Sequence, residues 1–333
     1  MAASSRPIEE RQAPSPITNF LLRQEVILFL ILILAVVLLA LSSDKFLTIS
    51  NILNQGRLLT EIGLVALPMT FIIITGGIDL SVGSILGVCA IVLGYMWNPS
   101  GPFQLPLEAA IVVSLALGTL CGLVNGLIIV YIGVPPLITT LATLALYRGL
   151  AEGISQARSV RGYPEWFFQL GQGEVLGVPT QLLVLIFFVI ITAIVLSRTV
   201  FGRSLYAIGN NELGARFSGI PTGLYKIIIY AFSGFMSGMA AWIFVSRVTT
   251  TRSDMGSGLE LDAIAAVVLG GTSIFGGTGS IVGTVIGFVL IQLLKNGLSL
   301  AGVTTDGTIV VIGSVLILAI LINNFIQRRT NAA

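Results

Sequence analysis

About ten apolar runs follow one another between residues 26 and 326, and almost no charge interrupts them. They cover roughly residues 26–43, 57–75, 80–97, 108–132, 136–154, 181–198, 225–246, 260–275, 279–298 and 308–326. About 20 apolar residues is the length that crosses a bilayer as a helix. The runs are continuous and lack the alternation of barrel strands. Lipid offers no partner to a backbone N–H or C=O, so helices remain. Only 10% of the 333 residues are charged, and 55% are hydrophobic; a soluble domain carries about 25% charged residues. The expected fold is all-α, a polytopic membrane bundle of about ten transmembrane helices. The run at 260–275 is short and meets Gly270-Gly271 and Gly276-Gly277, so a broken or re-entrant helix is the alternative there.

The transmembrane domain thus spans 26–326, between a polar tail at 1–25 and a basic tail at 327–333. Ala40-Leu41-Ser42 resembles a signal-cleavage site, but the apolar run before it, starting at Val26, is long for a cleaved leader and reads as a permanent first span. An even number of spans puts both tails on one side. Total Lys and Arg hardly discriminates, with nine on the tail side and eight opposite. The cluster Arg198, Arg203, Arg216 and Lys226 around the 199–224 loop decides for tails and loop in the cytoplasm. A net charge of +2 gives no clustered basic face for nucleic acid. With no histidine, and with Cys89 and Cys121 inside apolar runs, no metal site is expected.

Two stretches echo each other. Gly76-Gly77 leads through Asp79-Leu80-Ser81 to Gly83-Ser84-Ile85, and Gly270-Gly271 leads through Gly276-Gly277 to Gly279-Ser280-Ile281. Each opens an apolar helix, which points to two internally related halves, a common transporter plan; chance matching in a glycine-rich chain is the alternative. Gly118, Gly122 and Gly126 form a ladder at a spacing of four, as do Gly279, Gly283 and Gly287. Such ladders admit a neighbouring helix closely, and packing within one chain is their expected use.

Four motifs in order carry a resemblance. They are Gly76-Gly77-Ile78-Asp79-Leu80-Ser81-Val82-Gly83, then Asn125-Gly126 with Pro135-Pro136-Leu137-Ile138-Thr139-Thr140-Leu141. The third runs from Gly202-Arg203 through Tyr206-Ala207-Ile208-Gly209-Asn210 to Ser218-Gly219-Ile220, and the fourth from Asp262-Ala263-Ile264 to Gly270-Gly271-Thr272. Together, over roughly 45–325, the chain resembles the permease subunits of bacterial ABC importers for monosaccharides, of the ribose, rhamnose and autoinducer-2 type. Leu137, where phenylalanine is frequent, and Gly214, where alanine is, depart slightly from that pattern.

The resemblance implies a multi-pass protein of the bacterial inner membrane that is not itself an enzyme. It implies ATP–Mg on a separate cytoplasmic ATP-binding subunit and no cofactor bound directly. A periplasmic or lipid-anchored substrate-binding protein and a second permease chain, identical or paralogous, complete the expected partners beside membrane lipid. The residues agree on one point. None of the three lysines, Lys45, Lys226 and Lys295, follows a phosphate-cradling glycine loop.

By composition the 199–224 loop is equally a solvated basic loop or a short docking helix. The resemblance makes it the ATPase-coupling loop, with Gly202, Arg203, Ala207, Gly209, Asn210, Glu212, Arg216 and Gly219 as candidates. Asp79 is either a pathway residue or, with Ser81, a helix cap. Asn125, Thr139, Thr140 and Thr143 suit the route of a neutral, hydroxyl-rich solute or simply join helices; Phe275 is a further pathway candidate. Around Trp166-Phe167-Phe168, the charges Arg148, Glu152, Arg158, Arg161, Glu165 and Glu174 mark either an interfacial helix or a docking rim, with Arg247, Arg252, Asp254 and Glu260, for the binding protein. Nucleoside or branched-chain amino-acid import is the related alternative. An ion-coupled transporter would need intramembrane acids or histidines, which are nearly absent.

Overall fold

The computed structural model describes residues 24–156, 158–304, 306–314 and 317. Both tails, apart from residues 24 and 25, and most of the tenth expected run lie outside the described residues. The fold is all-α, as expected. In chain order the helices are α1 (Gln24–Ser42), α2 (Ile49–Ile74), α3 (Val82–Trp97), α4 (Leu107–Leu127, continued by a π-turn at Ile128–Ile132) and α5 (Pro136–Ser155). They continue with α6 (Glu165–Gln172), α7 (Thr180–Arg198), α8 (Val200–Asn210), α9 (Glu212–Phe217), α10 (Thr222–Val248), α11 (Leu259–Leu269) and α12 (Ile281–Leu300). A two-residue hairpin, β1 (Glu174–Val175) with β2 (Val178–Pro179), precedes α7. Among the described residues five helices are long and apolar enough to cross a membrane: α2, α4 with its π-turn, α7, α10 and α12. Their flanks agree, since Val112 and Leu120 on α4, Phe187 and Ile190 on α7, Leu224 on α10 and Val282 on α12 stand exposed. Stripes of that kind suit lipid and not water.

Central helix α2 is buried at every residue from Thr60 to Ile74. It begins eight residues before the apolar run expected at 57–75, because its polar first turns find partners on α12. Thr48 caps it, Asn51 and Asn296 exchange hydrogen bonds at 2.9 and 3.0 Å, and Gln292 Nε2 donates to Gln55 Oε1 at 2.9 Å. Helix α10 packs along α4 through the first glycine ladder. A side chain at Gly118 would strike the carbonyl of Gly234, at Gly122 that of Tyr230, and at Gly126 the backbone of Ile227. Gly283 and Gly287 play the same part between α12 and α11, against Gly270 and Ala266, while Gly279 packs on Thr272.

Among the described residues, two non-helical segments within the bundle bear on the site. The run expected at 260–275 is only the 11-residue helix α11, about 16 Å long and too short to cross alone. Before it, residues 249–258 lie along α3. Gly94 meets Thr251, Gly87 meets the carbonyls of Ser253 and Met255, and Gly83 meets Gly256 and Glu260. From Gly94 back to Gly83 is about 16 Å of helix, so this segment penetrates the bundle and α11 starts beside the start of α3. The other non-helical segment, 75–81, joins α2 to α3.

Because the α4–α10 approach leaves no room for a methyl group against backbone, Gly122→Ala should destabilise the protein by about 1–3 kcal/mol. A lowered thermal midpoint in detergent, compared with Gly149→Ala, whose Cβ meets nothing within 4 Å, checks this.

Candidate functional site

Segment 75–81 starts with Gly76 at φ +77°, a left-handed turn that glycine adopts without strain. Beyond it Asp79 is fully buried. Its Oδ1 accepts hydrogen bonds from Ser81 N at 3.0 Å and Ser81 Oγ at 2.6 Å, and its Oδ2 accepts from Ser233 Oγ of α10 at 3.0 Å. Asn125 Nδ2 of α4 donates to Ser81 Oγ at 2.8 Å, and Thr140 Oγ1 of α5 donates to Ile78 O at 3.1 Å. The knot therefore ties the entry of α3 to three other helices. Asp79 binds the N–H and hydroxyl of Ser81, the residue just before α3, while no side chain caps α3 itself. Thr143 Oγ1 donates to Thr140 O at 3.3 Å, and Asn125 Oδ1, Thr139 Oγ1 and the Tyr230 hydroxyl are buried without a hydrogen-bond partner.

At the end of the bundle reached by the last turn of α2, the 199–224 segment forms two short helices. Thr199 accepts from Gly202 N to cap α8, and Asn211 accepts from Gly214 N to cap α9. Gly202, Ser204, Leu205, Ile208 and Ala215 face inward; Ala207 and Gly209 are half-buried. Gly209 packs so tightly on the carbonyl of Ile74 and the amide of Gly277 that no side chain would fit. The Tyr206 hydroxyl donates to Gly279 O at 2.7 Å, and Gly277 N donates to Ile74 O at 2.9 Å. The two glycine-rich stretches that echo each other in sequence therefore touch, with α8 seated on both. Gly219, at φ +83°, ends α9. Arg203, Asn210, Glu212 and Arg216 are exposed, Glu212 in an ion pair with Lys226 at 2.6 Å. Beside them stand two apolar side chains that the sequence reading passed over, Leu213 (67% exposed) and Phe217 (91%), and from the 270–280 turn Phe275 (79%). Their signal in the sequence was an apolar residue beside a charged one on a short segment, Leu213 after Glu212 and Phe217 after Arg216.

The opposite end is rich in charge. Arg57 pairs with Glu174 at 2.6 Å, and Arg247 grips Glu61 through two hydrogen bonds at 2.8 and 3.1 Å. Arg148 donates to the carbonyls of Ser253 and Met255 at 2.6 and 3.1 Å, so it serves the non-helical segment. Glu152, Arg158, Arg161 and Glu165 are exposed. Helix α6 buries Phe167, which stacks on Tyr163, and leaves Trp166 exposed. Among the described residues no group of three or more His, Cys, Asp or Glu is placed to hold a metal ion.

A family model described as branched-chain amino acid transport system, permease component, matches residues 48–320. The chain belongs to this permease family. The permease is 37% identical over 323 residues to the autoinducer 2 import system permease protein LsrD of Yersinia enterocolitica, covering 92% of this chain and 96% of that protein. It is likewise 37% identical over 297 residues to LsrD of Photorhabdus luminescens, covering 87% and 88%. All four motifs lie inside the matched region. In the permease, removing the hub of the buried knot leaves the Ser81 amide and the Ser81 and Ser233 hydroxyls without their acceptor. Asp79→Ala should therefore cost about 3 kcal/mol and lower the amount of folded protein extracted from membranes, whereas Ser218→Ala, in an exposed loop, should not.

Proposed function

We propose that the chain is the membrane permease of an ATP-driven importer and moves a small, sugar-like, polyhydroxylated solute of the autoinducer-2, ribose or rhamnose type across a bacterial inner membrane. The likeness to autoinducer 2 import permeases over nearly the whole chain carries this reading. In it ten spans place both termini and the α8–α9 segment in the cytoplasm: α1, α3, α5 and the half-length α11 join the five long helices, and the apolar run at 308–326, mostly outside the described residues, is the tenth. The contact between the two glycine-rich stretches supports two related halves. A second permease chain, identical or paralogous, would share the pathway, and a periplasmic or lipid-anchored binding protein would deliver solute to the charged end.

Power comes from a separate ATPase. Lys226 and Lys295 are ion-paired, and no lysine sits in a phosphate-cradling loop. The ATPase would grip α8 and α9, which expose Leu213 and Phe217 together with Arg203 and Arg216. Binding would bury these apolar side chains, and arginine is enriched in interface hot spots. Movement there passes directly into the end of α2 and the 270–280 turn, because Gly209 touches both. ATP binding then shifts the permease between two arrangements by favouring one of them.

Phe217 is almost fully solvent-exposed, so Phe217→Asp should leave folding intact. It should weaken ATPase binding by about 2 kcal/mol and reduce uptake of labelled autoinducer-2 accordingly. Co-purification of the ATPase with wild-type and variant permease, beside uptake by the same cells, measures both. Undiminished co-purification and uptake would remove the coupling role from this segment. The family's amino-acid description motivates one control: labelled leucine taken up in place of autoinducer-2 would replace the sugar reading.

A further inference from the structure

Between α2, α10 and the non-helical segment 249–258 lies a cavity of about 340 Å³. Its size falls within the range of small-molecule sites, at roughly 300–1,000 Å³. Three carboxylates face it, from Glu61, Asp254 and Asp262. Each is neutralised by a basic partner, Arg247, Arg252 and Lys295 respectively. Phe244 adds an apolar wall, and Arg247 lies over its ring at 5.0 Å from the centroid. Thr250 also lines the cavity, and its hydroxyl is buried with no hydrogen-bond partner.

Such walls are selective. An ion-paired carboxylate keeps lone pairs free to accept further hydrogen bonds, and hydrogen bonds to an ionised group are the stronger kind. Because every acid is matched by a base, an entering anion or cation loses its hydration without gaining a net opposite charge. A neutral molecule dense in hydroxyls meets acceptors on several sides and an apolar face for its C–H groups. The Glu61–Arg247 pair is the most sheltered, with side chains 10% and 21% exposed; Arg252 and Asp254 are well exposed at the mouth. Gly256 forms part of the lining and packs on Gly83, where α3 and α11 begin side by side. A solute resting there would lie directly against the place where both helices start.

We infer that this cavity is the permease's own docking site for a neutral, polyhydroxylated solute of about monosaccharide size, entered from the charged end. The inference rests on the import reading above and adds to it a site within this chain. Ser257 lines the cavity and is exposed, so it can be replaced without disturbing packing. Cys89 and Cys121 are buried and give little background to a thiol reagent.

The test uses the complete importer in cells, with Ser257→Cys in the permease and labelled autoinducer-2 as the probe. Treatment with a bulky membrane-impermeant maleimide should modify the introduced thiol and reduce uptake by about tenfold or more. ATPase co-purification should stay unchanged, and Ser159→Cys, at an exposed position outside the cavity lining, should keep full uptake after the same treatment. Full modification with unchanged uptake overturns the site, and so does failure of the reagent to reach the thiol from outside. Absence of uptake by the untreated wild-type importer is a separate result, and it counts against the import reading itself.

Discussion

Lipid satisfies no backbone hydrogen bond, yet this chain leaves helical geometry inside its bundle, notably at 249–258 and 75–81. Everything distinctive about the structure answers that demand. At 249–258 the answer is a cation: Arg148 reaches from α5 to the carbonyls of Ser253 and Met255, and Thr251 exchanges hydrogen bonds with Val160. At 75–81 it is an anion, since Asp79 collects Ser81 and Ser233 while Asn125 and Thr140 close around it. Charged groups used this way are costly to bury alone and strongly held once their partners are in place. Each non-helical segment is thereby fixed to helices from distant parts of the chain.

The two segments divide the molecule's work. The 75–81 turn lies near the end that carries α8 and α9, where glycines bring three pieces of backbone into direct contact. A displacement of α8 therefore has no soft side chain in which to dissipate. The 249–258 segment belongs to the charged end, where it lines a neutralised cavity. Between them α3 and α11 start together, so a push at one end and a solute at the other bear on the same junction. Tightly packed elements can convert small shifts into global change where two arrangements exist.

Hydropathy made the helices legible because the bilayer imposes length and polarity on them directly. It misplaced the start of α2 because Asn51 and Gln55 are polar in sequence but spend that polarity on Asn296 and Gln292, more than 230 residues away. The shortness of α11 was foreshadowed by Gly270-Gly271 just after it, whereas the path of 249–258 along α3 is a tertiary fact that no local pattern carries. Asp79, Asn125 and Thr140 stood out in the sequence as intramembrane polar residues. Ser233, the partner of Asp79 on α10, did not, because one serine among the small residues of α10 looks like packing. Leu213 and Phe217 were hidden for the opposite reason, since apolar residues are unremarkable in so apolar a chain until their exposure is seen.

The central claim is that the hairpin end and the α8–α9 end lie on opposite sides of the membrane, each serving its own partner. Single cysteines at the fully exposed Leu176 and at Phe217 test it directly, using a membrane-impermeant maleimide on spheroplasts and on inside-out vesicles. The account predicts that Leu176→Cys is modified only in spheroplasts and Phe217→Cys only in inverted vesicles. Modification of both from one side, or the reversed pattern, would contradict it.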